Sequence, residues 1–233
     1  MQAHEVTKPE RSSEEIQQLV EAISADRFAT YLAACHDDPA KALHLYEWNA
    51  DLCGALYAPL QIVEVAFRNT LHCQLAVAYG PNWPVSPAFS TVAPALGVIV
   101  ADVELSLARD RRSIDIPTIV ASLHFGFWDR MLNKEYKDSL WSKALYRSFP
   151  EYEARYKKKI ERKIAANAFR EIRLFRNRVF HHKPIFRRRS LRDDLQLLIE
   201  TAAWMYPGLE PWITQRSEPC IRLLNNLIDV SES

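Results

Sequence analysis

The sequence predicts an all-α chain. Three observations carry that prediction. Only 5 glycines occur in 233 residues, too few for a turn-dense β fold. Ala, Leu, Glu, Lys and Arg, the good helix formers, abound. Helix-start signals also recur before apolar residues at helical spacing: Ser12-x-x-Glu15, Asp38-Pro39, and Asp115 with Pro117 two residues on. Hydrophobic content of 48% and aromatic content of 11% are globular values, and the length suits one domain with a sizeable core or at most two small ones. With no repeat and no long linker, the expectation is a single domain over 1–233.

Taken in order, residues 1–11 are polar and expected to be loose. Ser12-x-x-Glu15 is a capping box that opens a helix to about Ser24. Asp26 can cap a second helix through Ala34. Asp38-Pro39 starts a helical pattern that runs to Tyr79. Pro59 interrupts it, so two helices are expected, at 39–57 and 59–79. Gly80-Pro81-Asn82-Trp83-Pro84 is a stop, followed by a loop to residue 91. A helix is expected over 91–109, then one capped by Asp115 that contains Phe125, Phe127 and Trp128 as core residues. Gly126 there allows a close approach or a kink. His124 reads as a structural histidine. An amphipathic helix is expected over 133–147 and a long basic helix over 151–182, ended by Pro184. Ser190 caps a helix to about Tyr206, Pro207-Gly208 ends it, and two short helices finish the chain.

Net charge is +1 but unevenly spread. Residues 155–192 hold 15 Lys or Arg against two acids, a net +13; the remainder holds 15 against 27, a net −12. Such asymmetry suggests a basic face for a polyanion, or a basic segment matched to acids on its own fold or on a partner. Cys35, Cys53, Cys73 and Cys220 are too scattered for a metal or redox pair and read as reduced core thiols of a cytosolic protein. No run approaches about 18 apolar residues and no N-terminal segment resembles a signal peptide, so neither a membrane span nor export is expected. No phosphate loop, H-E-x-x-H, C-x-x-C or G-x-S-x-G motif occurs, and no metal or cofactor is expected.

The densest chemistry lies in Arg173-Leu-Phe-Arg-Asn-Arg-Val-Phe-His-His-Lys-Pro-Ile-Phe186. On a helical wheel Arg176 falls inside the apolar stripe of Ala165, Phe169, Ile172, Phe175, Val179 and Phe180. A guanidinium there needs a partner or a polar cleft, because an unpaired buried charge costs several kcal/mol. Arg173, Asn177 and His181 form a polar file along the edge of that stripe. Wheel geometry leaves two readings equally open: a functional cleft, or an Arg176 paired with an acid from another helix. Earlier in the chain, Glu64, Arg68, Asn69 and His72 share a helix. Glu64 and Arg68, four apart, have the spacing of a surface ion pair.

Arg176-Asn177-x-x-x-His181 resembles the R-x4-6-H signature of the HEPN superfamily. The wider string Phe-Arg-Asn-Arg-Val-Phe-His-His-Lys-Pro-Ile-Phe resembles its abortive-infection (Abi-like) branch. Leu-Gln-Ile-Val-Glu-Val-Ala-Phe-Arg-Asn-Thr-Leu, with Glu64, Arg68 and Asn69, is similar to that family's first motif, and Phe125-Gly126-Phe127-Trp128 to a further element. The resemblance covers roughly residues 43–205. It implies a HEPN-like helical bundle with extra flanking helices and a homodimer in which two copies of the motif face one cleft. It also implies metal-independent endoribonuclease activity in a phage-defence or toxin–antitoxin setting, with RNA as substrate and, in the latter setting, an antitoxin protein as partner.

On that resemblance Arg176 stabilises the phosphate, His181 serves as base or acid, and Asn177 orients one of them. Glu64, Arg68 and Asn69 are auxiliary, and Glu64 is the natural partner of Arg176. His182 either assists or caps the helix. Arg173, Arg178 and Lys183 are the expected RNA contacts. Part of the superfamily is silenced by modification of a tyrosine two residues after the histidine; Lys183 stands there, so that mode is not expected. The rival reading is a non-catalytic HEPN-like module that binds RNA or a partner protein.

Overall fold

A computed structural model describes residues 11–188 and 190–226. The expected loose N-terminal stretch and Arg189 lie outside these, apart from Arg11. Every regular element among the described residues is helical. The helices are α1 (Ser13–Ile23), α2 (Ala25–Leu32), α3 (Pro39–Tyr79), α4 (Pro87–Val92), α5 (Pro94–Arg109), α6 (Ile116–Ser122), α7 (Phe125–Arg130), α8 (Pro150–Tyr156), α9 (Arg162–Phe180), α10 (Leu191–Met205) and α11 (Leu209–Asn225).

The start signals behave as their chemistry requires. The Ser12 hydroxyl accepts from the Glu15 backbone N–H, and the Glu15 carboxylate accepts from the Ser12 N–H, closing the capping box. Asp38 accepts from Ala40 and Lys41 ahead of Pro39. Asp115 accepts from Thr118, which opens α6. His124 caps α7 by accepting from the Phe127 N–H through Nδ1, a structural use of that side chain. Ser190 and Asp26 do not cap by side chain: α2 begins at Ala25 with Ser24 as its cap residue, and Ser190 fills the cap position of α10 without a hydrogen bond from its hydroxyl.

The spine is α3, one helix of 41 residues and about 60 Å. The expected break at Pro59 does not occur. Pro59 lacks the N–H that would reach the Ala55 carbonyl, a defect of about 3 kcal/mol in an isolated helix. Here α3 packs against α10 and α11, and Leu52, Leu56, Leu60 and Val63 are buried on both sides of Pro59, which keeps the axis continuous. An 18-residue window of α3 has a mean hydropathy of 1.3, long and apolar enough to cross a membrane by length and composition. Fifteen of its residues are buried against the other helices. Pro219 likewise sits inside α11, so one helix replaces the expected two short ones.

Four further expectations are corrected. The helix capped by Asp115 ends at Ser122, and Phe125, Phe127 and Trp128 open a separate helix, α7. The stretch 91–109 is two helices, split at Ala93, which leaves the helical region. Residues 133–147 form no amphipathic α-helix but two 3-10 turns and a π turn, Lys137–Trp141. Buried Tyr136, Leu140 and Ala144, and Trp141, Leu145 and Phe149, keep the four-residue spacing of a helix face, so periodicity alone does not show the break. The long basic helix is divided. Lys157 turns left-handed, ending α8, and the chain dips to bury Ile160 before α9 starts at Arg162. Three consecutive lysines give the helix nothing to bury, and Ile160 redirects it.

Aromatic rings join the elements that carry the site. Phe67 of α3 stacks on Phe169 of α9, centroids 3.8 Å apart, and Phe125 of α7 meets Phe67 edge-on. Phe149 and Trp204 extend the cluster to α10. Phe125, Phe127 and Trp128 are all buried, as core residues should be. Cys35 and Cys220 are buried, but Cys73 is exposed and departs from the core assignment.

Candidate functional site

The last turns of α9 lie against the middle of α3. Arg176 Nε donates to Glu64 Oε2 at 3.1 Å, across 112 residues of sequence. The pair is one-quarter exposed on each side, so it borders a surface rather than the core. Nη1 reaches Asn177 Oδ1 at 3.5 Å, and the guanidinium lies 4.3 Å over the ring of Phe180. Phe180 in turn stacks on Tyr57 of α3. Carboxylate below and π face beside fix the guanidinium plane, while Nη2 has no partner among the described residues. The arrangement can present a planar, bidentate donor to an oxyanion.

The helix ends by a Schellman closure. The Lys183 N–H bonds the Arg178 carbonyl at 2.9 Å and the His182 N–H bonds the Val179 carbonyl at 3.1 Å. His182 takes the left-handed conformation, φ 53°, where glycine is usual. Its carbonyl accepts from Arg27 Nη2 at 2.6 Å. Of the two roles open for His182, capping is the one its backbone performs. Pro184, two residues after the left-handed residue, keeps the helix from resuming. His181 is the C-cap; its side chain is exposed and makes no hydrogen bond among the described residues. The segment beyond is anchored by Asn49 of α3, whose Oδ1 accepts from the Ile185 and Phe186 N–H groups.

The other expected site residues fall into different roles. Arg173 Nε donates to Asp129 of α7 at 2.6 Å, and a Cβ on nearby Gly126 would crowd the His124 ring, at 3.2 Å. Burial raises the Asp129 carboxyl above its usual range, against the lowering effect of Arg173. Arg178 Nη2 donates to the Pro184 carbonyl and its Nε is buried without a partner. Arg173 and Arg178 therefore hold the fold, while Lys183 is exposed. Arg68 does not form the surface pair with Glu64; it lies one turn on, 3.4 Å from Asn69 Oδ1, which is exposed. His72 accepts from Trp83 Nε1 at 2.9 Å, and burial, then Arg68, lowers its pKa.

Sequence reasoning missed two clefts. A polar one of about 510 Å³ lies between α7 and the first half of α9, lined by Arg130, Lys134, Arg162, Arg170 and Arg173 with a single acid, Asp129. The spacing of Arg162, Arg170 and Arg173 on one helix face was the available signal. The larger one, about 760 Å³, adjoins Phe180 and includes His182 but not His181. Among the described residues no group of His, Cys, Asp and Glu could hold a metal ion. Compared with family models, with curated proteins and with solved structures, the chain gives no match, so the reading of this site rests on its own geometry.

Proposed function

We propose that the chain is a metal-independent endoribonuclease of a phage-defence or toxin–antitoxin type, working in the cytoplasm on RNA. The observation that carries the reading is Arg176. It stands at the edge of the core, fixed by Glu64 and Phe180 and flanked by Asn177, with its outer donors unused. The Glu64 pair and the Phe180 contact leave Nη2 without a partner among the described residues, and that free edge fits a phosphate.

In the proposed reaction a base removes the proton of a 2′-hydroxyl. The 2′-oxygen bonds the adjacent phosphorus, and the P–O5′ bond breaks. An acid protonates the leaving 5′-oxygen, so the products carry a 2′,3′-cyclic phosphate and a 5′-hydroxyl. His181 supplies base or acid, since an imidazole can both accept and donate a proton. Arg176 meets the charge that develops on the phosphate. One Arg and one His make half of such a site, and a second copy of the chain supplies the rest. Exposed Leu174 lies on the α9 face that carries Asn177 and His181, an apolar residue where two copies would meet.

The test is incubation of purified protein with total RNA in excess EDTA, wild type beside His181→Ala, with end-group analysis. Cyclic-phosphate ends from wild type alone are expected. Cleavage by neither protein overturns the reading. The exposed, unbonded imidazole of His181 favours a second reading, a non-catalytic module that binds RNA. RNA binding without cutting in the same assay would select it.

A further inference from the structure

The larger cleft has a chemistry of its own. Its walls are aromatic: Tyr31 and Tyr46 meet edge-on at 5.2 Å on one side, and Tyr57 stacks on Phe180 at 5.3 Å on the other. Tyr57 is 53% exposed, so one face of its ring is open. No carboxylate lines the cleft. Burial pushes the Cys53 thiol up to about 11 and the Tyr31 hydroxyl up to about 12, so neither adds negative charge near neutral pH. Arg27 stands at the rim with Nε and Nη1 unpartnered among the described residues. Deeper in, Asn49 spends its oxygen on the backbone, and its amide N–H groups meet only the weak acceptor Cys53 Sγ at 3.9 Å. Aromatic walls, amide and phenol donors, one fixed cation and no anion select a flat, hydrogen-bonding, anionic ligand.

Gly54 gives a second, independent indication. It sits inside α3, where glycine costs about 0.5–1 kcal/mol relative to alanine. Its backbone does not need glycine, because its φ is not positive. Nor does packing, because an added Cβ would meet nothing within 4 Å. What the missing side chain leaves is open volume in the cleft wall.

We propose that this cleft binds the base of a ribonucleotide, stacked on the open face of Tyr57, which Phe180 backs, with the phosphate turned out toward Arg27. The ligand is either a free mononucleotide or one residue of a single-stranded RNA. Phe180 is shared with Arg176, so in the second case the cleft holds a base beside the phosphate that Arg176 meets. That link rests on the endoribonuclease reading; occupancy of the cleft does not.

The probes are the four ribonucleoside 5′-monophosphates, by calorimetry, and a fluorescein-labelled single-stranded RNA octamer, by anisotropy. Each is measured on wild type, Gly54→Leu and Tyr57→Ala. Gly54→Leu fills the cleft from a site with room for it, and thermal denaturation verifies that it stays folded. Tyr57→Ala removes an exposed ring. Binding by wild type and a loss of about tenfold or more in both variants is expected. Loss with the octamer alone assigns the cleft to a base within RNA, and loss with a mononucleotide alone to a free nucleotide. No binding by wild type, or equal affinity in all three proteins, overturns the proposal. RNA cleavage is scored separately. Cutting without a change in binding refutes the cleft and leaves the nuclease, and binding without cutting does the reverse.

Discussion

Arg173 and Arg176 are one turn apart on α9, each bonded to one acid from another helix, yet they sit in different physical situations. The Asp129 carboxylate that holds Arg173 is almost buried, and its pair ties α7 to α9 beneath the F-G-F-W element. Glu64 is about one-quarter exposed; the two guanidinium groups are equally exposed, and each keeps donors without a partner among the described residues. The difference teaches that charge density does not mark a site. A cation that neutralises a buried carboxylate is tied to the fold, and one whose acid can turn to water is available for chemistry.

Arg173→Ala tests the first half and should have the largest effect. It leaves Asp129 buried and unpaired, at a cost of about 3 kcal/mol, lowering Tm by roughly 6–12 °C. Arg176→Ala should cost less, about 1–2 kcal/mol, since Glu64 can turn to water. Its signature lies elsewhere: RNA cleavage should fall about 100-fold or more, while Arg173→Ala, assayed well below its Tm, keeps most of its activity. Equal stability losses, or equal activity losses, would erase the distinction.

The same contrast separates His72 from His181. His72 accepts the Trp83 indole N–H, which requires a bare Nδ1. Its folded pKa is lowered from 6.5, so the unfolded chain takes up a proton more readily than the folded one. Stability should therefore be intact above about pH 6.5 and fall as pH drops below it. Urea midpoints at about pH 7.5 and about pH 5.5 measure this. His72→Gln, which keeps an acceptor without the titration, should reduce the drop, and an identical drop would remove His72 from the account. The smallest effect is expected at His182. His182→Gly should shift stability by less than about 1 kcal/mol, because glycine accepts the left-handed turn. His182→Val, which resists it, should cost about 1–2 kcal/mol. The chemical-denaturation midpoints of the two variants decide whether the Schellman closure is the residue's structural role.

Much of this contrast was legible in the sequence and some was not. The wheel put Arg176 in an apolar stripe and demanded a partner, and Glu64 was named as one. Helix-start chemistry placed α1, α3 and α6. The basic segment misled in part, because sequence cannot say where a cation finds its acid. Arg155 reaches Glu210, Arg173 Asp129, Arg176 Glu64 and Arg188 Asp194, all acids outside the +13 segment. Two of the misjudged breaks have related reasons. Pro59 disfavours helix locally but tertiary burial overrode it, whereas Lys157 looked helical and yielded to the burial of Ile160 one turn later. The aromatic cleft drew Tyr31, Tyr46, Tyr57 and Phe180 from three helices, a convergence that no single periodicity records.

The length of α3 has a metric consequence. Each residue advances the axis about 1.5 Å, so Gly54 and Glu64 are separated by about 15 Å along one rod. That rod is a ruler, and the distance between cleft and guanidinium is a count of residues, insensitive to how loops breathe. Between the two marks, and midway, Pro59 is the one graduation without a backbone hydrogen-bond donor. Any flexing at that point changes the interval itself, so the helix sets both the spacing of whatever lies across it and the place where that spacing can give.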